Sequence, residues 1–285
     1  MADKKTEKFP RDPETGKRII YYSDAVNDDF AGNEITRTPV DESFAYVRRN
    51  PVWRAAEFVA YYLIALPLVF LMCKLGFGLR IKNRRAVRKV RSGGFFLYGN
   101  HTHFSDAYIS PLVAFPKKAF IIANPDAVSI PGIRALVMML GCLPIPTVRK
   151  AMPNFVSAVE TRIAEGNCVA IYPEAHIWPF YTGIRPFSAN SFHYQAKLNV
   201  PCVPMVMTYR NRKLFGLIKL NKPGMTLHIG EPIYPDEALA EREKRQKLRD
   251  EVYAFMKRIS DGEEQYEHIL YRRNGQEEER KTAAV

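Results

Sequence analysis

SGGFFLYGNHTHFSDAYISP, at residues 92–111, joins an apolar run to a polar loop and then to the start of a helix. The letters FFLYG are typical of a short buried strand, and Gly99 and Asn100 are the turn residues at its end. Ser105 is a candidate N-cap residue, which would place Asp106 in the first turn of the following helix. Since loops that follow buried strands commonly carry catalytic groups, we expect a functional site here.

His101 and Asp106 lie five residues apart in this loop. In a continuous helix that spacing is a rotation of roughly 140° away from a shared face, so the two side chains can meet only across a bend. Such a bend would let the carboxylate hold one imidazole nitrogen while the other faces a substrate hydroxyl. His103 is a rival, because three residues from Asp106 is also a contact spacing. The spacing alone does not choose between the two histidines, and a capped helix with a solvated histidine fits the same pattern.

Helical and strand patterns alternate along the rest of the chain. PNFVSAVETRIAEGN, ended by Gly166, is typical of an amphipathic helix, and CVAIYPE is typical of a buried strand. The further segments are helices in IPGIRALVMMLG at 130–141 and NSFHYQAKLN at 190–199, strands in VPCVPMVMTY at 200–209 and MTLHIGEPI at 225–233, and a long charged helix at 236–260. The alternation predicts an α/β fold with a three-layer mixed sheet.

Residues 58–73, FVAYYLIALPLVFLMC, form an uncharged apolar run interrupted by Pro67. The run is marginal for a bilayer span, which needs roughly 20 apolar residues, and a buried soluble helix has the same composition. Basic residues flank it on both sides: Arg48, Arg49 and Arg54 before it, and Lys82, Arg84, Arg85, Arg88, Lys89 and Arg91 after it. This pattern favours a helix that docks on the cytoplasmic face of the cell membrane, with a full span as the alternative.

Composition limits the partners of the chain. Its 285 residues are 47% hydrophobic, enough for one sizeable core and at most two domains. Forty-two Lys and Arg residues against 30 Asp and Glu give a formal charge of +12, which indicates an anionic partner. Membrane lipid is favoured and no nucleic acid is expected, because no readout motif accompanies the basic residues. The four cysteines form no CxxC pair, so we expect reduced core residues in a cytosol-facing protein.

The order of these segments over most of residues 55–235 resembles the lysophosphatidate acyltransferase superfamily of glycerolipid synthesis. Members of that family have Asn-His, four residues and then Asp, and NHTHFSD has this form. The resemblance implies the glycerolipid acyltransferase type of fold, with His101 as the general base and Asp106 as its orienting partner. It therefore also favours His101 over His103.

Two later landmarks of the family are altered here. Where the second landmark has Asp-Arg, this chain has Pro146 and Thr147, and the nearest basic residues are Arg149 and Lys150. The third landmark, Phe-Pro-Glu-Gly-Thr-Arg-Ser, becomes YPEAHIWP at 172–179, which keeps the Pro-Glu pair and loses the Gly and the Arg. The fourth, Val-Pro-Ile-Val-Pro-Val-Val, is matched closely by VPCVPMV.

The lost Arg matters, because the family residue is thought to hold the acceptor's phosphate. Arg149 and Arg185 are the candidate replacements. Glu174 is expected to hydrogen-bond either the acceptor or the catalytic loop. His176, in the altered segment, is a further candidate substrate-binding residue.

The resemblance implies an O-acyltransferase that moves a fatty acyl chain from a thioester, either acyl-CoA or acyl carrier protein, to a lysophospholipid hydroxyl. Lysophosphatidate is the first candidate acceptor. Backbone N–H groups at 102–105 are the expected donors to the tetrahedral oxyanion. Another lysolipid or alcohol as acceptor, and a catalytically silent lipid-binding relative, are the alternatives. We predict no cofactor and no metal, with one metal site left open as an alternative, formed by His101, His103, Asp106 and His176.

These patterns divide the chain into four predicted regions. They are a polar, loosely ordered arm at 1–50, a membrane-associated helical segment at 51–79, the acyltransferase domain at 80–265 and a charged tail at 266–285. The first fifty residues have few regular apolar positions, and nothing there resembles a secretory signal, so we expect no export.

Overall fold

The apolar runs of the sequence form a sheet with helices on both faces. The structure, a computed structural model, describes residues 10–30, 37–214 and 218–275. Its strands are β1 (Arg18–Tyr22), β2 (Arg80–Lys82), β3 (Phe95–Gly99), β4 (Ala119–Ala123), β5 (Cys142–Pro144), β6 (Cys168–Ile171), β7 (Cys202–Arg210), β8 (Lys213–Leu214), β9 (Ile218–Lys219), β10 (Gly224–Ile229) and β11 (Ile269–Arg273). Its main helices are α1 (Pro51–Gly76), α2 (Asp106–Ala114), α3 (Arg134–Met139), α4 (Met152–Ala164), α5 (His193–Leu198) and α6 (Glu241–Gly262). Short 3-10 helices lie at Arg84–Val90, Pro125–Val128, Arg149–Ala151 and Ala189–Phe192.

Seven strands form one mixed sheet in the order β2-β10-β7-β3-β6-β4-β5. The five strands from β7 to β5 run parallel to one another, whereas β10 is antiparallel to β7 and β2 is parallel to β10. Alternate residues of β3 enter two different cores, as a strand buried on both faces requires. Phe95 and Leu97 pack with α2, and Phe96 and Tyr98 pack with α4 and α6. The predicted three-layer α/β fold is thereby confirmed.

The carboxyl ends of the parallel strands bring the sequence landmarks of this chain together. β3 ends at Gly99, and the neighbouring strand β6 ends at Ile171, directly before the YPE letters. Asn100 fixes the end of β3 to β7: its side-chain nitrogen donates to the carbonyl of Met207 at 3.1 Å, and its oxygen accepts from the Met207 N–H at 2.7 Å. The loop that carries His101 therefore leaves the sheet from a rigid position.

The arm is more ordered than its polar composition predicted, and the charged tail begins with a strand. β1 pairs in parallel with β11, so the two ends of the chain form a small sheet of their own. Further along the arm, Val40, Phe44 and Tyr46 are buried in the core with α4. These isolated apolar residues follow no helical or strand period, so their burial could not be predicted from the sequence pattern. The parts of the predicted arm and tail at 1–9, 31–36 and 276–285 lie outside the described residues.

α1 is fastened to the domain on one side and exposed on the other. Tyr61 accepts a hydrogen bond from the backbone N–H of Ala119, and Tyr62 donates one to the carbonyl of Pro116. An ion pair between the buried Lys118 and the partly exposed Glu57 adds a third attachment. The opposite face exposes large apolar side chains: Leu63, Ile64, Leu68, Phe70, Leu71 and Leu75. In the described part of the chain this is the one helix long and apolar enough to cross a membrane, and it is not the buried helix of a soluble core.

Candidate active site

The side chains of His101 and Asp106 meet across the bend between the loop and α2. His101 Nδ1 lies 3.1 Å from Asp106 Oδ2, and the same oxygen accepts the backbone N–H groups of Thr102 at 2.8 Å and His103 at 2.9 Å. A carboxylate only accepts, so Nδ1 carries the proton and Nε2 has the free lone pair. With 17% of the His101 side chain exposed and only 3% of the Asp106 side chain, the pair has the geometry of a base held by a buried carboxylate.

Ser105 occupies the N-cap position of α2 but does not cap it in the expected way. Its side chain makes no hydrogen bond to the backbone of the first helical turn. Instead its Oγ lies 2.7 Å from His103 Nδ1, and its backbone N–H donates to the same nitrogen at 3.2 Å. The loop is thus closed by Asp106 on one side and by the His103–Ser105 contact on the other.

His103, the other candidate base, is buried, and it donates to the Asp106 carboxylate through its backbone N–H while its ring contacts Ser105. Its ring packs against Phe77, Phe104 and Phe180, with centroid distances of 4.9, 4.3 and 5.2 Å. Burial lowers the pKa of His103 to about 4, with Asp106 opposing the effect. The imidazole therefore stays neutral, and its accepting nitrogen is already used by Ser105. These contacts make His103 a packing residue of the loop.

Tyr172 supports both halves of the pair, a role that its place in the altered landmark did not reveal. Its ring stacks on the His101 imidazole with a centroid distance of 4.7 Å and an interplanar angle of 24°. Its hydroxyl donates to the backbone carbonyl of Asp106 and lies 2.8 Å from Ser110 Oγ. Burial raises the pKa of Tyr172 well above its usual range, so the hydroxyl remains a donor. Tyr172 therefore holds the first turn of α2 against the imidazole.

Glu174 is buried and holds the loop that carries His101 through a hydrogen bond to its backbone. Its Oε2 accepts the backbone N–H of His101 at 3.1 Å, and its Oε1 accepts the backbone N–H of Arg185 at 3.0 Å. Burial raises the pKa of Glu174, and the Arg185 charge 3.4 Å from Oε2 opposes that shift. Of the two roles expected for Glu174, these contacts match the loop-holding role.

Arg185 is 1% exposed, which removes it from the candidates for an acceptor-binding cation. Its guanidinium lies over the ring of Trp178, 4.9 Å from the centroid, and donates to Glu174 and to the carbonyl of His176. Burial lowers the pKa of Arg185 and Glu174 raises it. Arg185 is a buried partner of Glu174, and not the accessible phosphate ligand that its position suggested.

Arg149 and His176 lie apart from the His101–Asp106 pair. Arg149 is exposed in the 3-10 turn after β5, and β5 is three strand positions from β3. At a strand spacing of about 4.8 Å, those positions separate the two strands by roughly 14 Å. His176 lies beside the arm, with its Nδ1 3.4 Å from Asp29 Oδ2. Neither residue contacts His101 or Asp106.

The altered third landmark is braced by the two ends of the chain. Trp178 is fully buried, its indole N–H donates to the carbonyl of Asp28 at 2.8 Å, and its ring stacks on Tyr271 at 5.0 Å. The Trp178 backbone N–H in turn donates to the carbonyl of His101 at 3.1 Å. The arm and tail therefore support the catalytic loop through the segment at 172–180. Trp178 lies in the altered landmark, whose spacing gave no sign of this role.

An apolar cavity of about 380 Å³ opens beside the first turn of α2. Its walls are α1, α2, α3 and the short helix Pro125–Val128. The lining residues nearest the pair are Ala107, Tyr108 and Pro111 of α2, faced by Tyr61, Leu66 and Val69 of α1 and by Ile133, Leu136, Val137 and Leu140 around α3. Ala107 directly follows Asp106, so the cavity begins within one turn of the pair. A cavity of this size and lining suits an alkyl chain.

No metal centre is assembled among the residues that the structure describes. No three potential His, Cys, Asp or Glu ligands come together there, so His101, His103, Asp106 and His176 do not form the alternative metal site.

Fold and motif order define an acyltransferase domain. Residues 79–208 match the family model described as Acyltransferase, a range that contains all four landmarks. The solved structure of the 1-acyl-sn-glycerophosphate (LPA) acyltransferase PlsC from Thermotoga maritima is similar, with a TM-score of 0.52 and 20% identity, over 76% of this chain and 84% of that chain. A search of curated proteins finds no match. The family-model match over residues 79–208 and the similar fold agree with the resemblance seen in the sequence.

Proposed function

We propose that the protein is a glycerolipid acyltransferase that moves a fatty acyl chain from a thioester to the hydroxyl of a lysophospholipid. The observation that carries the proposal is the His101–Asp106 pair, with an apolar cavity that begins at Ala107, the residue after Asp106. The pair can activate a hydroxyl, and the cavity can hold the chain whose carboxyl carbon is attacked. The acceptor proposed first is lysophosphatidate and the product phosphatidate.

The proposed reaction uses His101 twice. Its Nε2 removes the proton of the acceptor hydroxyl while the oxygen attacks the thioester carbonyl carbon, giving a tetrahedral oxyanion and an imidazolium held by Asp106. Collapse of this intermediate breaks the C–S bond and forms the ester. The leaving thiolate takes the proton from the imidazolium, which restores the neutral His101. No group is oxidised or reduced.

The donors to the oxyanion are fewer than the loop at 102–105 suggested. The backbone N–H groups of Thr102 and His103 already donate to Asp106, and that of Ser105 donates to His103. Within the described residues, the Phe104 N–H is the remaining loop donor without a hydrogen bond. We assign the oxyanion contact to Phe104, because a backbone donor near a helix start stabilises developing negative charge.

The apolar cavity is proposed to take the transferred acyl chain. Each methylene group buried there contributes about 0.8 kcal/mol, so a long chain would be bound mainly through this space. One wall of the cavity is α1, whose other face is exposed and apolar. The same helix is therefore proposed to dock the enzyme on the cytoplasmic face of the membrane. Donor and acceptor would both enter from that side.

A second acceptor class is favoured by the burial of Arg185. With that residue paired to Glu174, the exposed Arg149 is the only cation of the two candidates that remains accessible, and it lies about three strand spacings from β3. A lysolipid whose headgroup needs no phosphate clamp fits this arrangement. The alternative function is therefore the same acyl transfer to another lysolipid or alcohol.

One experiment tests both proposals. Purified full-length protein is given acyl-CoA or acyl carrier protein with a panel of lysolipids in mixed micelles, and lipid products are identified by mass spectrometry. Product with lysophosphatidate supports the first proposal, and product only with other acceptors supports the second. A folded protein that acylates nothing in the panel, with either donor, would contradict both and favour a catalytically silent lipid-binding protein.

A further inference from the structure

A cluster of four arginines lies near the C-terminal end of α2, whereas His101 lies near its N-terminal end. α2 begins beside the catalytic loop and ends at Ala114, and its nine residues span about 14 Å. Beyond that end is a cavity of about 430 Å³ lined by Arg84, Arg85, Arg88, Arg91, Phe115 and Pro116. This four-arginine cavity is separate from the apolar cavity and shares no lining residue with it.

Within the described part of the chain, no acidic side chain forms an ion pair with the arginines of the four-arginine cavity. Arg84 and Arg91 each donate to a backbone carbonyl at the end of α2, at 3.0 Å and 2.8 Å, and Nε of Arg91 is buried without a partner. Arg85 and Arg88 are exposed, and their side chains make no hydrogen bond or ion pair with the residues that the structure describes. Neighbouring Lys89, by contrast, is paired with Glu231. Four guanidinium groups around one space, without a carboxylate, favour an anion.

The four-arginine cavity borders exposed apolar side chains. Arg84 also lines a small adjoining cavity together with Phe70, Cys73 and Leu79, which joins the arginines to α1. Phe70 belongs to the exposed apolar face of α1, and Phe115 is itself 43% exposed. Cations at the border of an exposed apolar surface match the boundary between lipid headgroups and acyl chains.

We propose that the four-arginine cavity binds the phosphate of an anionic membrane lipid and docks this end of α2 on the bilayer. Guanidinium groups hold phosphate oxygens in pairs, which suits a cavity framed by several of them. The bound lipid is a docking ligand and not a reactant, because it lies at the far end of α2 from His101. The proposal stands independently of acyl transfer.

Flotation of the full-length protein with vesicles tests this site. The probes are vesicles of phosphatidylcholine alone and of phosphatidylcholine mixed with phosphatidylglycerol. The test variant carries Arg85→Gln and Arg88→Gln, and the matched control carries Arg242→Gln and Arg245→Gln on α6, which covers the other face of the sheet. We expect the test variant to bind the anionic vesicles about 30-fold more weakly than the unmodified protein, since each Arg near such a surface contributes about 1 kcal/mol.

The control variant should lose far less binding, and neither variant should change on phosphatidylcholine alone. Circular dichroism should show both folded, because Arg85 and Arg88 are exposed and unpartnered in the described structure. Equal losses in the two variants would show a general charge effect and overturn the proposal. Unchanged vesicle binding with a raised KM for acyl-CoA would also overturn it, and would assign the cavity to the phosphates of the donor.

Discussion

The two sides of the catalytic loop put two histidines in opposite surroundings, although a single residue separates them. On the solvent side, His101 has a carboxylate on Nδ1, a tyrosine ring against its face and an open Nε2. On the core side, His103 has three phenyl rings around it and gives its accepting nitrogen to Ser105. Proton transfer requires an accessible nitrogen and a partner that stabilises the charged ring. Only the solvent side provides both.

The largest expected effect is the loss of activity when His101 is replaced, and it tests the contrast between the two histidines directly. His101→Ala should lower kcat/KM for acyl transfer by about 10²- to 10⁴-fold, the usual contribution of a general base. His103→Asn should keep activity within about tenfold while lowering thermal stability, because it removes packing and not the base. His193→Ala, on α5 where His193 pairs with Glu241, is the control and should match the unmodified enzyme. Equal losses at His101 and His103 would place the base on the wrong side of the loop.

A stability measurement sharpens the contrast from the core side. The pKa of His103 is about 4 in the folded protein, against an ordinary value near 6.5, so the unfolded chain binds a proton between these pH values that the folded chain does not. Stability should therefore fall as pH falls from about 6.5 to about 4, by roughly 3 kcal/mol from this residue.

Urea unfolding across this pH range, compared between the unmodified protein and His103→Gln, isolates the effect. The pKa values of His228 and His268 are also lowered by burial, but those residues remain in both proteins and cancel. A difference between the two proteins that does not depend on pH would mean that His103 is not held neutral.

A smaller effect tests how firmly the solvent side is built. Tyr172→Phe keeps the ring on His101 but removes the hydroxyl that contacts Asp106 and Ser110. We expect kcat to fall about 2- to 10-fold, since a lost neutral hydrogen bond costs about 0.5–1.5 kcal/mol, with KM nearly unchanged. The pH profile of kcat should shift if the tyrosine positions the pair. A drop in stability with normal kinetics would assign Tyr172 a structural role only.

The smallest effect concerns the acceptor. Arg149→Ala should raise KM for lysophosphatidate by no more than about fivefold, because an exposed charge pair contributes at most about 1 kcal/mol. Lys150→Ala is the neighbouring control, and a phosphate-free lysolipid should be unaffected by either change. A loss of a hundredfold with Arg149→Ala would show a direct phosphate contact and would strengthen the lysophosphatidate proposal.

Local patterns in the sequence predicted the parts of the fold that are local in origin. The strand before His101, the amphipathic helix α4 and the strand β7 follow from residue spacing within one segment. The apolar run of β4 was equally readable but was not assigned. The pairing of β1 with β11 could not be read in this way, because it joins residues about 250 positions apart with no pattern in common.

In the candidate site, too, the sequence predicted the local features and missed the contacts between distant segments. The His-Asp spacing allowed a pair to be expected, and the family resemblance selected His101. Arg185 is buried because it contacts Glu174 and Trp178, and Trp178 in turn is held by the arm and the tail. These contacts join distant parts of the chain, so the sequence suggested an exposed arginine that could bind phosphate. The hydroxyl of Tyr172 is similar: its partners at Asp106 and Ser110 lie on another element, and spacing within YPEAHIWP carries no sign of them.

α1 lines the apolar cavity with one face and exposes apolar side chains on the other. The thickness of one helix therefore separates the cavity from the surface on which α1 is proposed to dock. If that surface is a bilayer, the enzyme samples its lipid substrate in two dimensions. The rate of acyl transfer would then depend on the mole fraction of lysolipid in the membrane surface. Diluting the lysolipid with inert lipid would lower the rate even at a constant total lysolipid concentration. The cell could accordingly regulate this reaction through the composition of one leaflet, without any change in the amount of enzyme.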